Sequence, residues 1–307
     1  MMNNKNIRHF KSLLDINKNE FLRIIARSIE LKKEAQSNKI IDSLKNKTMA
    51  MIFLKNSTRT RVAFETAMSS MGGHAIFLPS LFSQIDRGED LSDTAKVLSG
   101  MVDIILIRTH DHAEVEELAA HSTVPVINGL TEKCHPCQLL ADMQTFFEIK
   151  GPIEGKKVAW VGDGNNMCNS YINAARILDF QLKIAVPSGY EPDKKLLSLA
   201  KENVEICDLP GSAVEDCDLV ATDVWASMGS ENESEKRHNV FKSYQINQHL
   251  IEKAKPDAIF MHCLPAHRGE EVDAEVIDGK QSVVWQQAHN RLHTSKALIE
   301  FLFNENE

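Results

Sequence analysis

The stretch Thr48–Gly73, TMAMIFLKNSTRTRVAFETAMSSMGG, decides the fold of this chain. It opens with the apolar run Met49–Leu54, which has the length of a buried parallel strand. From Val62 onward the apolar residues recur at helical spacing, and they stop at Gly72-Gly73, a pair typical of a helix C-terminus. The stretch therefore predicts a strand that leads directly into a helix.

The turn between this strand and this helix carries hydroxyl and guanidinium groups. Its sequence is Ser57-Thr58-Arg59-Thr60, followed by Arg61. The first backbone N–H groups of a helix and the positive end of its dipole favour an anion, and hydroxyls with a guanidinium suit a phosphate. The alternative is an ordinary capping segment, in which Ser57 or Thr58 caps the helix and both arginines face solvent.

The composition is that of an ordinary globular protein with an acidic balance. The 307 residues suit two domains or one large one, with a net charge of −8 at pH 7. The charge argues against binding to nucleic acid or a membrane surface. No apolar run approaches the roughly 20 residues of a membrane span, and the N-terminal sequence lacks the apolar core of a secretory signal. The six cysteines are scattered, so we expect a reducing, cytoplasmic setting.

Two further strand ends in the first half carry polar residues. The buried run 102–107 ends on Arg108, and the carboxyl ends of parallel strands face the crevice where open α/β sheets bind ligands. The run 123–127 leads to His135-Pro136-Cys137-Gln138 and a helix over 139–150. Pro136 suits a first helical turn, which places His135 at a helix N-terminus.

The second half repeats the pattern of strands that lead into polar turns. A strand over 157–161 runs into Gly162-Asp163-Gly164-Asn165-Asn166 and a helix over 168–180. This resembles a dinucleotide-binding turn, but Met167 occupies the position of the third glycine. The two asparagines offer amide groups to a small ligand instead.

Further along, Asp223 follows a strand over 218–222, where it could pair with a ligand ammonium or cap a turn. The charged segment 230–238 predicts a mobile loop. The last strand, 257–261, delivers His262–Arg268, and a terminal helix covers about 288–303.

Two other patterns allow different chemistry. Cys134 and Cys137 form a Cys-x-x-Cys that opens a helix, as in thiol redox motifs or half of a zinc site. There is no second close cysteine pair, which argues against zinc. His289 and His293 have the i,i+4 spacing that metals use, but no acidic ligand pattern accompanies them. We therefore predict no metal site.

Four motifs, taken together, resemble the ornithine carbamoyltransferase family. In order along the chain they are Ser57-Thr58-Arg59-Thr60, His135-Pro136-Cys137-Gln138, Asp223-Val224-Trp225-x-Ser227-Met228-Gly229 and His262-Cys263-Leu264-Pro265. They span nearly the whole sequence in the family's order. The last two favour ornithine over aspartate, as does the segment Ser83–Asp86, which lacks the lysine that aspartate enzymes place there.

The resemblance and the strand–helix pattern imply two α/β domains, each a parallel sheet flanked by helices. Residues 1–150 would form a carbamoyl phosphate-binding domain, on which the terminal helix 288–307 packs back, and residues 151–287 an ornithine-binding domain. The implied reaction transfers the carbamoyl group of carbamoyl phosphate to the δ-amine of L-ornithine, giving L-citrulline and phosphate in arginine metabolism. The family works as a homotrimer without cofactors, with the substrates in the cleft between domains.

The resemblance also assigns residues. Carbamoyl phosphate would be bound by Ser57, Thr58, Arg59, Thr60, Gln84, Arg108, His135, Gln138, Cys263, Leu264 and Arg291, with Gln84 reaching in from a neighbouring subunit. Ornithine would be bound by Asn165 or Asn166, Asp223, Ser227 and Met228. The catalytic residues would be Arg108, His135 and Cys263. The rivals are a carbamoyltransferase for another amine, a nicotinamide dehydrogenase, a thiol oxidoreductase and a non-catalytic anion-binding protein.

Overall fold

The stretch 48–73 folds as predicted, into a strand and a helix joined by a short turn. The strand β1 is Thr48–Phe53, and all but its first residue are buried. The helix that follows the turn is Arg59–Ser70, and it buries one face that includes Phe64 and Met68. Because both elements bury apolar side chains at the period of their own geometry, burial against the same core stabilises them together.

The computed structural model describes residues 7–79, 84, 88–226 and 234–306, and the chain divides into two units. The first unit comprises residues 1–144 and 289–307, and the second comprises residues 145–288. Within the described ranges, no helix combines the length and apolar character needed to cross a membrane.

The first unit contains a sheet of four parallel strands in the order β2-β1-β3-β4. Besides β1, its strands are β2 (His74–Pro79), β3 (Ile104–Arg108) and β4 (Val126–Leu130). The helices that begin in this unit are α1 (Lys18–Gln36), α2 (Arg59–Ser70), α3 (Leu91–Ser99), α4 (His112–His121) and α5 (Pro136–Lys150). The chain adds β2 on one side of β1 and β3 on the other, so the carboxyl ends of β1 and β3 flank a topological switch point.

The second unit contains a sheet of five parallel strands in the order β7-β6-β5-β8-β9. Its strands are β5 (Lys157–Val161), β6 (Gln181–Ala185), β7 (Val204–Cys207), β8 (Leu219–Thr222) and β9 (Ile259–His262). The helices that begin here are α6 (Asn166–Leu178), α7 (Lys194–Leu199), α8 (Pro210–Val214), α9 (Ser234–Phe241), α10 (Gln248–Ile251), α11 (Ala274–Ile277) and α12 (Val284–Asn306). The switch point of this sheet lies between β5 and β8.

The terminal helix α12 returns to the first unit, as predicted. Asn290 on α12 accepts a hydrogen bond from Lys32 Nζ on α1 at 2.8 Å. Nearly three turns further along α12, Glu300 pairs with Arg27 of α1 at 2.7 Å. The predicted fold class, two parallel sheets each flanked by helices with a returning terminal helix, is therefore confirmed.

Two local expectations need correction, and some elements were missed. The strand predicted at 123–127 begins later, at Val126, and continues to Leu130. Asn128 in this added part is held by its amide, which donates to Lys11 O at 2.9 Å. The strand β7 and the helix α4 were not expected. The segment predicted as a mobile loop at 230–238 is helical from Ser234 onward, since it begins α9.

Candidate active site

At the switch point of the first sheet, a buried threonine is contacted by two arginines. Thr60, in the first turn of α2, places its Oγ1 2.8 Å from Nη2 of Arg291 and 3.4 Å from Nη1 of Arg108. Arg291 also donates from Nη1 to Oε1 of Gln138 at 2.9 Å. The structure thus brings together four predicted residues from α2, β3, α5 and α12.

The turn before α2 is capped by only one of its two hydroxyl candidates. Ser57 Oγ accepts from the Thr60 backbone N–H at 3.2 Å, whereas Thr58 makes no side-chain capping bond and is exposed. Arg61 points to the surface, where it pairs with Glu65 at 3.1 Å. Ser57 and Arg61 thus make the contacts that the capping alternative expects, whereas the Thr60 side chain turns inward to the two arginines.

His135 lies buried beside this group, immediately before α5. Its pKa is held well below the usual range, first by burial and then by the positive charges of Arg291, Arg108 and Arg59. The imidazole is therefore neutral at physiological pH. Three guanidinium groups that act on one buried side chain also create a positive potential suited to an anion.

Two residues near this group were not expected from the sequence. Lys55 is half-buried in the turn after β1, and burial together with the charge of Arg108 lowers its pKa. Asp142 is buried on α5 and accepts from Nε2 of Gln138 at 2.8 Å, which turns the amide oxygen of Gln138 toward Arg291. The i,i+4 spacing of Gln138 and Asp142 on one helix is the signal that could have identified the second.

The second group of predicted residues lies at the switch point of the second sheet, around Asp223. The carboxylate accepts at Oδ2 from the Asn165 amide at 2.9 Å and at Oδ1 from the Val224 backbone N–H at 2.8 Å. Cys263 Sγ lies 3.0 Å from the same Oδ1. Three turns, which follow β5, β8 and β9, thus meet at one buried carboxylate.

Asn165 and Asn166 lie at the start of α6, and both are partly exposed. Asn165 is the N-cap of α6, and its Oδ1 accepts from the backbone N–H groups of Met167 and Cys168 at 2.9 and 3.2 Å. Because its amide nitrogen also donates to Asp223, both polar ends of the Asn165 side chain make hydrogen bonds within the protein. Asn166 is the first residue of α6.

The same turn argues against the dinucleotide alternative. The N-terminal N–H groups of α6 that would bind a pyrophosphate are already capped by Asn165. A Cβ at Gly164 would lie 2.4 Å from Tyr190 O and from Pro192 N. This glycine is therefore required by close packing of the protein backbone, which accounts for it without a dinucleotide.

The loop after β9 is fixed by its histidine. His262 Nδ1 accepts from the Leu264 backbone N–H at 2.9 Å, so its Nε2 donates to Oε1 of the buried Glu271 at 3.1 Å. Cys263 and Leu264 thus belong to the second unit, in the loop that also contacts Asp223.

The remaining predicted residues are less informative. Gln84 is exposed, and its carbonyl accepts from the Glu89 backbone N–H at 3.1 Å. Ser227 and Met228 lie outside the described residues.

The Cys-x-x-Cys pair is a poor candidate for redox chemistry. Cys134 and Cys137 are both buried, and burial raises the pKa of each thiol to about 12. Since the thiolate is the reactive form, both residues are inert at physiological pH.

Among the described residues, two sets of side chains have metal-ligand spacing. They are Asp223 with His262 and Cys263, and His267 with Glu270 and Glu271. In the first set both imidazole nitrogens of His262 are already engaged, and Cys263 is hydrogen-bonded to Asp223. A metal ion there would have to break these bonds.

Comparison with known proteins gives a consistent picture over the whole chain. Residues 8–148 match the family model described as aspartate/ornithine carbamoyltransferase, carbamoyl-P binding domain, and residues 154–302 match its Asp/Orn binding domain. An ornithine carbamoyltransferase from Hydrogenovibrio crunogenus is 56% identical over 96% of this chain and 98% of its own length. The "ornithine carbamoyltransferase 1, anabolic" of Pseudomonas savastanoi is 52% identical over 97% of both chains. The crystal structure of ornithine carbamoyltransferase from Burkholderia thailandensis superposes with a TM-score of 0.92, at 46% identity, covering 98% of this chain and 100% of that one.

Proposed function

Since this chain belongs to the aspartate/ornithine carbamoyltransferase family, we propose that it transfers the carbamoyl group of carbamoyl phosphate to the δ-amine of L-ornithine. The products are L-citrulline and phosphate. The observation that carries the proposal is the buried group in which Thr60 accepts from both Arg108 and Arg291, and Arg291 also donates to Gln138.

The first unit holds carbamoyl phosphate. Ser57–Thr60 receive the phosphate at the N-terminus of α2, where backbone N–H groups and Arg59 match its charge. Arg108, His135, Gln138 and Arg291 hold the carbamoyl end. Gln84 joins them from a neighbouring subunit.

The charge that develops on the carbamoyl oxygen during attack is stabilised by Arg108, His135 and the Thr60 hydroxyl. A well-placed donor of this kind contributes about 3 kcal/mol. Because its low pKa keeps His135 neutral, the imidazole acts here as a hydrogen-bond donor and does not serve as an acid. The phosphate then leaves into a site already built for its charge.

The second unit holds ornithine. The carboxylate of Asp223 attracts an ammonium group, and it would repel the side-chain carboxylate of aspartate, which supports an amine substrate. Asn166, with Asn165 as the close alternative, offers its amide to the amino acid, together with Ser227 and Met228. Cys263, hydrogen-bonded to Asp223, assists the loss of the δ-amine proton, and Leu264 contacts the carbamoyl group.

A homotrimer is supported by apolar surface on the first unit. Val62 on α2 and Ile76 on the edge strand β2 expose 57% and 40% of their surface. An exposed apolar edge strand is normally covered by a partner. Light scattering should give three times the chain mass of 34.5 kDa. Gln84→Ala and Arg108→Ala subunits should each be inactive alone. Mixed in equal amounts, they should restore roughly a quarter of the activity, because about one shared site in four then combines an intact Arg108 from one subunit with an intact Gln84 from its neighbour.

We also propose that the enzyme works in the cytoplasm in arginine biosynthesis. The word anabolic in the name of the Pseudomonas relative supports this direction, and six free cysteines suit a reducing compartment. Growth without arginine of a host that lacks this activity, after the gene is supplied, tests the direction.

The test of the reaction is citrulline formation from carbamoyl phosphate and ornithine, run beside putrescine, N-acetylornithine and aspartate. Turnover with ornithine alone supports both half-sites, and turnover with another amine overturns the assignment around Asp223. Arg59→Ala and Arg108→Ala should abolish turnover in folded protein. Arg23→Ala, which removes an exposed arginine paired with Glu305 at 2.9 Å, is the matched control and should leave the rate unchanged. An active Arg59→Ala enzyme would contradict the phosphate assignment.

A further inference from the structure

Arg237 is a charged residue on α9 whose side chain is only 14% exposed, and none of the roles above uses it. Its Nε donates to the backbone carbonyl of Trp225 at 2.6 Å. Its Nη2 forms an ion pair with the carboxylate of Asp163, whose side chain is 12% exposed. The guanidinium also lies over the ring of Tyr190, 4.8 Å from its centre. One side chain therefore links three separate parts of the second unit.

Two of these contacts fall on the turns that carry the proposed ornithine-binding groups. Asp163 comes two residues before Asn165, and Trp225 comes two residues after Asp223. The same two turns are joined at the site itself by the bond from the Asn165 amide to Asp223, at 2.9 Å. Arg237 supplies a second link between them, outside the site.

We propose that Arg237 is a positioning residue for L-ornithine: it holds the turns 163–166 and 223–225 at the separation at which Asn166 and Asp223 bind the amino acid. This inference rests on the proposed function. A guanidinium suits the task because its planar fork donates in two directions at once while its face stacks on a ring. A lysine ammonium at this position can make only part of these contacts.

The burial of Asp163 explains why loss of Arg237 should move the turn. Burial raises the pKa of Asp163, and Arg237 opposes that rise. Without the guanidinium, a buried carboxylate is left without its ion-pair partner, which is strongly unfavourable. The carboxyl group must then take up a proton or move toward water, and in either case the link from the turn 163–166 to Trp225 is lost.

The kinetic test uses Arg237→Gln, with KM measured for each substrate. The KM for ornithine should rise on the order of 10- to 100-fold, while the KM for carbamoyl phosphate stays within about twofold. Arg237→Lys should recover part of the ornithine affinity. Asp163→Asn should reproduce the rise in the KM for ornithine. The double variant should show no larger rise than the more affected single variant, because both changes remove the same link. The matched control is Arg268→Gln, an exposed arginine of the same unit that pairs with Asp278 at 2.8 Å.

A second readout does not depend on turnover. Trp225 is buried and packs on Phe241 with ring centres 5.9 Å apart. Of the other two tryptophans, Trp160 is buried and Trp285 is exposed, so the measurement uses a Trp285→Phe background. In that background, acrylamide should quench the fluorescence more strongly in Arg237→Gln than in Arg268→Gln. Unchanged quenching would show that Arg237 does not fix this turn. An unchanged KM for ornithine, or an equal rise in both KM values, would overturn the positioning role. If instead the unaltered protein forms no citrulline from ornithine while quenching responds as expected, the proposed function fails and the structural link stands.

Discussion

Replacing Asp223 by asparagine keeps the size of the side chain but changes its hydrogen bonds to Asn165, Val224 and Cys263. The amide oxygen can keep the two bonds from the Val224 N–H and Cys263 Sγ. The new amino group then faces the amino group of Asn165, where the structure has a donor–acceptor pair at 2.9 Å. Asn165 cannot turn over to relieve this, because its oxygen caps α6 at residues 167 and 168.

The magnitudes follow from these contacts. Either the bond between the two side chains or the helix cap is lost, so Asp223→Asn should lower the free energy of unfolding by about 1 to 2 kcal/mol. The loss of a charged acceptor for an ammonium group corresponds to about 1.5 to 3 kcal/mol of binding. We therefore expect the KM for ornithine to rise by about 10- to 150-fold. The KM for carbamoyl phosphate should stay unchanged, since its proposed arginines lie in the first unit.

The assay is steady-state citrulline formation, with each substrate varied while the other is saturating, together with urea denaturation of the same samples. Asp216→Asn is the control, since Asp216 is an exposed aspartate of the same unit that pairs with Lys157 at 2.7 Å. An ornithine KM within about twofold of the unaltered enzyme would refute the reasoning.

Exchanging the two side chains separates structure from binding. In Asn165→Asp combined with Asp223→Asn, the carboxylate at 165 can still cap α6 and can accept from the amide at 223. Stability should return while the ornithine KM stays high. Recovery of both would mean that Asp223 serves the fold and does not bind the substrate.

Three other expectations concern pH, thiols and packing. Burial lowers the pKa of His135 below its usual value of about 6.5, so at lower pH the unfolded chain binds a proton that the folded chain does not. The free energy of unfolding should therefore decrease as the pH is lowered past about 6.5. In urea titrations, His135→Gln should make this decrease smaller. Cys134 should resist iodoacetamide in the native protein, and Cys134→Ala should keep kcat while lowering the unfolding free energy by about 1 kcal/mol; fast alkylation would contradict its burial. Gly164→Ala should lower the free energy of unfolding, measured by calorimetry, by about 2 kcal/mol or more, because its Cβ would meet the backbone of 190–192. Gly155→Ala, at φ +69° with open space around it, should lower it by about 1 kcal/mol. Equal losses of stability would refute the packing argument.

The parts of the fold that the sequence predicts are those with local signals. An apolar run followed by hydroxyls and a helical period is enough to place β1, α2 and the turn between them. By contrast, β7 has only four residues, and its middle two are exposed, so it lacks the buried run that marks the other strands. An edge strand of this kind is stabilised by pairing with β6, which no local pattern reveals.

The candidate site shows the same division. Motifs mark the ends of strands, and these ends meet as parallel topology requires. The contact between Thr60 and Arg291 joins residues 231 positions apart, so spacing alone gave no reason to pair them, and only the family resemblance pointed to Arg291. Arg237 was missed because a run of charges usually indicates a solvated surface. Its partner Asp163 lies 74 positions earlier. The glycines on either side of Asp163 suggested a dinucleotide-binding turn, so an ion pair was not expected there.

The return of α12 to the first unit has a consequence for protein synthesis. Thr60 and Arg108 leave the ribosome early, whereas Arg291 is translated only after the whole second unit. A nascent chain can fold the sheet of the first unit long before it can complete the arginine group around His135. A chain released prematurely within the second unit would therefore lack Arg291 and its bonds to Thr60 and Gln138, and we expect it to bind carbamoyl phosphate more weakly than the finished enzyme.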